Sequence, residues 1–222
     1  MGKATEPATE PANDPDTMTD TYLEAATELP ADARRILDFW FGAPASPEWN
    51  TTRSVWFTKS DDFDATVRAA LLPLWDATHA GANADWAQSP EGACARIVLL
   101  DQVPRNVFRN DPRSFASDPQ ALATARQMVE SGADRLLPTA FHRMFCYMPF
   151  EHSEALADQN TAVRLMTALR DESEGKADVV EWAIRHRAVI ERFGRFPHRN
   201  AVLGRQDTAQ ESAFLKAPGS SF

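Results

Sequence analysis

From Asp32 onward, large apolar residues return every three or four positions, and the alternating runs that mark half-buried strands are nearly absent. The pattern predicts an all-α domain. Over 31–41, Ile36, Leu37, Trp40 and Phe41 fall on one stripe, and Gly42 with Pro44 ends the helix. Ser46-Pro47 reads as the start of a second helical segment through Trp49, Trp56 and Phe57, because a first turn tolerates proline's missing N–H. Ser60 or Asp61 caps a third helix, which runs through Phe63, Val67, Leu71 and Trp75 to a stop at Gly81.

Ser89-Pro90-Glu91 starts the next helix, whose run Ile97-Val98-Leu99-Leu100 leads into Asp101-Gln102-Val103-Pro104. Proline costs a helical hydrogen bond, so Arg105 and Asn106 are expected at a break or a new start. Asp118-Pro119 begins a helix that ends at Gly132, and Pro138 opens a short one carrying Phe141, His142, Phe145 and Cys146. Two long helices follow, about 151–170 and about 176–193, joined by a polar linker over 171–175. A capping box, Thr208-Ala209-Gln210-Glu211, announces the last helix. Such a series packs as an irregular array of antiparallel helical hairpins.

Composition divides the chain in two. The first 28 residues hold seven acids, one lysine and few large apolar groups, a composition that cannot offset the entropy of its own ordering. A disordered acidic tail is expected over 1–28, and a single all-α domain over 29–222. The net charge is −9, of which the tail carries −6, so the remaining body is at −3. A near-neutral body argues against nucleic acid as a partner, since its binders usually carry broad positive charge. No secretory signal or long apolar span is present, so no membrane partner is expected. Cys94 and Cys146 lie in apolar runs and read as buried free thiols, which fits a reducing cytoplasm.

Against this background, six arginines and two histidines crowd into 185–205, interrupted by the single acid Glu191. Guanidiniums at close quarters need acidic partners, an anionic ligand or open solvent. Treating the two long helices as a straight hairpin turning near Ser173 places Glu154 beside Arg192 and Glu151 beside Arg195. The same register puts His186 opposite Gln159 and Asn160. It leaves His198, Arg199, Asn200 and Arg205 without an assigned acid. An echo links this run to an earlier one: Gln102-Val-Pro-Arg-Asn106 and Arg195-Phe-Pro-His-Arg-Asn200 both set Arg-Asn just after a proline.

Metal chemistry finds little support, because neither a His-Glu-x-x-His element nor a Glu-x-x-His pair occurs. Ser153 lacks the turn that exposes a nucleophilic serine, and reads as a helix-face residue. No glycine-rich phosphate loop or dinucleotide fingerprint is present, and no cofactor is expected.

Several of these segments recur together elsewhere. The runs Leu99-Leu-Asp-Gln-Val-Pro-Arg-Asn-Val-Phe-Arg109, Tyr147-Met-Pro-Phe-Glu-His-Ser-Glu154, Arg192-Phe-Gly-Arg-Phe-Pro-His-Arg-Asn200 and Leu203-Gly-Arg205, with His186 and the opening Ile36-Leu-Asp-Phe-Trp-Phe-Gly42, resemble the uncharacterised family known as domain of unknown function 924. The likeness spans about 36–215, with Val103 where the family more usually has phenylalanine. It implies a fold similar to tetratricopeptide-like superhelices and brings no established activity.

Residues and resemblance together nominate one polar pocket. His152, Glu154 and His198 are its candidate acid–base groups. Asp101, Gln102, Arg105, Asn106, Arg109, His186, Arg192, Arg195, Arg199, Asn200 and Arg205 are its candidate ligand-binding residues. The expected ligand is a small phosphate- or carboxylate-bearing molecule, on the argument that arginines outnumber local carboxylates. Two other readings stand beside it. The cluster is a purely structural ion-pair network, or the protein is a tetratricopeptide-like scaffold gripping a peptide or protein partner.

Overall fold

The computed structural model describes residues 28–220, so the acidic tail expected over 1–28 lies, apart from Glu28, outside the described residues. Nine α-helices are found among those residues and no strand: α1 Ala31–Phe41, α2 Asp61–His79, α3 Pro90–Ile97, α4 Val103–Val107, α5 Asp118–Glu130, α6 Ala140–His152, α7 Leu156–Glu172, α8 Val180–Phe193 and α9 Ala209–Leu215. No described helix is long and apolar enough to cross a membrane.

The expected stripe of α1 is buried, with Ile36, Leu37, Trp40 and Phe41 all facing the core. Gly42 ends it at φ +82°, and a Cβ there would meet Ser46 and Glu48 at 2.6 and 2.7 Å, so only glycine fits. The helix expected after Ser46 does not form. Ala45 and Asn50 take positive φ (70° and 57°), which breaks a right-handed helix, and only a short 3₁₀ turn, Ser54–Trp56, remains. That loop instead closes the end of α1: Arg53 donates to the carbonyls of Phe39 and Trp40 at 2.7 and 2.6 Å, and Trp56 Nε1 to Trp40 O at 3.0 Å.

Ser60 caps α2 by accepting from Phe63 N–H, ahead of three aspartates that suit the positive end of a helix. Ser89 caps α3, Thr139 caps α6, and Thr208 with Glu211 forms the expected capping box of α9. Residues 92–104 are buried without interruption, the mark of a helix enclosed on all sides. It packs against α1, α5 and α6. Cys94 and Cys146 are free and buried in this core.

The two long helices differ from expectation where it matters most. Glu151 and His152 belong to the last turn of α6, which is longer than the short helix expected after Pro138. The chain turns extended at Ser153 and Ala155 before α7 begins. Gln159 holds this break by donating to the carbonyls of Glu151 and Ser153, both at 2.6 Å, while Ser153 Oγ donates to Asp158 at 2.6 Å. At the other end Arg143 reaches Glu172 at 2.6 Å, so α6 and α7 run antiparallel. A straight hairpin starting at Glu151 therefore does not exist. The register built on it fails with it.

Candidate functional site

The site grows from a local conflict in the central helix. Pro104 offers no N–H, and in a regular helix its ring would strike the carbonyl of Leu100. The chain answers with a π turn, Val98–Gln102, in which Val103 N–H reaches back to Val98 O. Leu100 O loses its helical donor to Pro104, and side chains donate to three carbonyls of this turn. Ser117 Oγ donates to Leu100 O at 2.5 Å, the Arg105 guanidinium to Asp101 O, and Asn106 Nδ2 to Gln102 O at 3.0 Å. The widened turn sets Asp101 and Gln102 at the end of one buried helix, against Glu151 and His152 at the end of another.

Asp101 is 1% exposed. It accepts from His152 Nδ1 at 2.8 Å and from Gln102 Nε2 at 2.6 Å, with Arg105 at 3.3 Å. Burial raises its pKa, but Arg105 and His152 outweigh burial and bring it down to about 2. An ionised carboxylate only accepts, so Nδ1 of His152 carries the proton and Nε2 presents the lone pair. Burial first, then Arg105, pulls the His152 pKa below the ordinary imidazole value against the opposing pull of Asp101.

A second carboxylate–imidazole pair lies alongside. His186 Nδ1 is 2.9 Å from Glu151 Oε1 and 2.9 Å from Trp182 O, two acceptors that again fix the proton on Nδ1. The His152 and His186 rings are 6.3 Å apart.

Arg105 spans to the third element. It forms a fork with Asp118 at 2.9 and 3.0 Å. Arg199, from the loop after α8, reaches the same carboxylate only at 3.5 Å. Arg199 is 7% exposed, and its guanidinium lies over the rings of Phe115 and Phe196, 4.6 and 4.5 Å from their centroids. Nε of Arg199 has no hydrogen-bond partner. Burial, then repulsion from Arg105, lowers its pKa to about 10 despite Asp118 and Glu154. The neighbouring His198 is held down to about 3, first by burial and then by Arg199 and His186. The two arginines of the sequence echo thus meet on one aspartate.

Arginine–carboxylate forks pin this loop in place. Glu154 takes Arg205 at 2.8 and 3.0 Å and also accepts from Phe196 N–H at 2.8 Å. Arg195 takes Glu211 at 2.7 and 2.8 Å, and Asn200 donates to Asp207 at 2.7 Å.

These pairings correct four expectations, because the break at Ser153 turns Glu151 and Glu154 away from the assumed register. Glu154 meets Arg205, not Arg192; Arg195 meets Glu211, not Glu151; His186 meets Glu151, not the amides of Gln159 and Asn160; and Arg205 has its acid. Arg192 is exposed and stacks on Phe193 at 4.8 Å, while Arg109 turns to Asp64 on α2. The expected arginine excess is also absent. Arg105, Arg199 and Arg205 face Asp101, Asp118 and Glu154, while Glu151 pairs with His186, so the cluster's carboxylates outnumber its guanidiniums. In the sequence Asp118 and Glu211 carry only a helix-start signal, and nothing there marks Phe115 as an arginine's platform. Among the described residues, no three His, Cys, Asp or Glu side chains gather as a metal site.

The fold and this cluster define a helical protein with a buried acid–base constellation where two enclosed helices end. The chain belongs to the family described as bacterial protein of unknown function (DUF924), whose profile matches residues 36–219. It is similar to the solved structure of a protein of unknown function, ATU0120, from Agrobacterium tumefaciens, with 33% sequence identity and a TM-score of 0.71, over 83% of this chain and 96% of that one. No curated protein matches significantly.

Proposed function

We propose that the cluster binds a small anionic molecule, phosphate- or carboxylate-bearing, and acts on it by acid–base chemistry. The observation that carries this reading is Arg199: a residue 7% exposed, its guanidinium over two aromatic rings, whose nearest carboxylate is already forked to Arg105. Leaving a buried cation so incompletely paired is costly unless a ligand completes it. Arg199 is the anchor in this reading. His152 is the proton-transfer group, through Nε2, and Asp101 positions it by fixing the tautomer. Glu154 is reassigned from base to clamp, since Arg205 and Phe196 N–H occupy both of its oxygens. Free buried thiols support a reducing, cytoplasmic setting.

The test is thermal unfolding and calorimetric titration of the full chain with inorganic phosphate and small carboxylates. A saturable rise in Tm that Arg199→Gln abolishes and Arg199→Lys weakens is the expected outcome. No saturable response to either ligand class sinks the reading. In that event Trp182, 50% exposed on α8 with Arg185 stacked 5.2 Å over it, becomes the starting point for the tetratricopeptide-like scaffold reading.

A further inference from the structure

We propose that an anion enters this site together with a proton, taken up on Nε2 of His152, so that the ligand is held beside an imidazolium. This inference rests on the anion-binding reading. It starts from the charge count: leaving the histidines aside, the cluster holds three guanidiniums (Arg105, Arg199, Arg205) against four carboxylates (Asp101, Asp118, Glu151, Glu154). A bound anion adds negative charge to a buried cluster that already has a negative excess. Low-dielectric surroundings penalise that excess heavily, and the nearest remedy is a proton.

His152 is the group built to take it. Its Nδ1–H is committed to Asp101 at 2.8 Å, so the incoming proton has one place to go, and Asp101 then stabilises the imidazolium. The groups facing His152 come from three elements: Asp101 and Arg105 from the central helix, Glu151 from its own helix, and His186 from α8. Arg105 opposes protonation in the empty site. An anion near Arg105 and Arg199 removes that opposition. His198 faces Arg199, His186, Glu154 and Arg105, a more cationic setting, and is the poorer acceptor. The step is a simple transfer from solvent to Nε2, with no bond in the ligand broken.

Sulfate is the right probe, because unlike phosphate it has no proton of its own to gain near neutral pH. Titrating the full chain with sulfate at constant ionic strength, in buffers of different ionisation enthalpy, should show uptake of about one proton per sulfate, and the Kd should tighten by up to about tenfold from pH 7 to pH 6. His152→Asn should bind sulfate without uptake and with a flat pH profile. If that variant does not fold, Asp101→Asn serves instead, and should shift the uptake to lower pH.

Sulfate binding without buffer dependence overturns the inference and leaves the anion site standing. Uptake that persists in His152→Asn but is lost in His186→Asn or His198→Asn overturns the assignment to His152. Binding of phosphate but not sulfate means that the proton travels on the ligand, which also overturns it. Binding of neither anion removes the site and the inference together.

Discussion

Helix α6 carries one histidine near each end, and the two are held in opposite ways. His142 is 1% exposed, bonded to Thr139 Oγ1 at 2.7 Å and stacked on Phe41 at 3.9 Å. Burial alone lowers its pKa to about 4. Ten residues on, His152 is also depressed by burial, but Arg105, Asp101 and Glu151 all act on it as well. A displaced pKa therefore does not separate the two. What separates them is that His142 is surrounded by rings and His152 by groups that can exchange charge with a ligand. The first end is packing, and the second is a cluster of charged and titratable groups.

Breaking the packed end should cost the most. Phe145 meets Trp40, Phe41 and Trp56 with centroids 5.0 to 5.6 Å apart, all at steep angles. Phe145→Ala removes a fully buried ring and should destabilise the protein by about 3–5 kcal/mol in urea unfolding. The folded fraction should keep its response to anions. A loss of that response at full folding would mean that the two ends are not separable.

Ser117→Ala tests the joint between them. Its hydroxyl donates to Leu100 O and accepts from Trp75 Nε1 at 3.0 Å, so its loss orphans two buried groups. The expected cost is about 1–3 kcal/mol in urea unfolding. Because the π turn sets Asp101, the anion response should weaken in the same variant. An unchanged response would show that the turn stands without that carbonyl contact.

The pH dependence of stability sharpens the contrast further. His142, His152 and His198 all have folded pKa values below the ordinary 6.5, with His142 at about 4 and His198 at about 3. The unfolded chain therefore binds more protons than the folded one in this range. Stability should be complete above about pH 6.5 and fall as pH drops toward 4 and then 3. His142→Asn should flatten part of that slope and leave sulfate affinity alone. Saturating sulfate should stabilise the wild type more at pH 5 to 6 than at pH 7, and His152→Asn by the same amount at both. The same pH-dependent gain in both proteins would mean that His152 does not take up the proton.

Helical periodicity and capping made most of this fold legible in advance. The stripe of α1, the Ser60 and Ser89 caps and the Thr208 box needed only local rules. The failures arose where long-range contacts override local preference. The segment after Ser46 looked helical because it carries tryptophans at plausible spacing, yet its work is to satisfy the end of α1 through Arg53 and Trp56. The charged residues of the cluster were legible as types, but their pairing was not. One extended turn at Ser153 gave Glu151 and Glu154 other partners, and no propensity rule marks a turn that the Gln159 side chain holds shut. Asp118 could have been found by asking which carboxylate lies at the open end of a helix following Pro104-Arg105.

The smallest expected effect tests what the basic run is for. If 185–205 were one electropositive surface, removing any of its arginines would weaken anion binding to a similar degree. The structure divides it instead. Arg187 pairs with Glu191 one turn away, Arg192 stacks on Phe193 at the surface, Arg195 and Arg205 are forked to acids, and Arg199 is buried with its nearest carboxylate at 3.5 Å. Arg192→Ala should therefore change stability by less than about 0.5 kcal/mol, as surface substitutions do. Its sulfate affinity at 0.15 M ionic strength should be unchanged, since screening hides a surface charge from a buried ligand. Arg195→Ala should loosen the loop, seen as faster amide exchange over 196–205, because Glu211 is left buried without its cation. Equal losses of affinity in Arg192→Ala and Arg199→Gln would mean that field, not placement, attracts the anion, and the distinction between the two ends of α6 would lose its functional meaning.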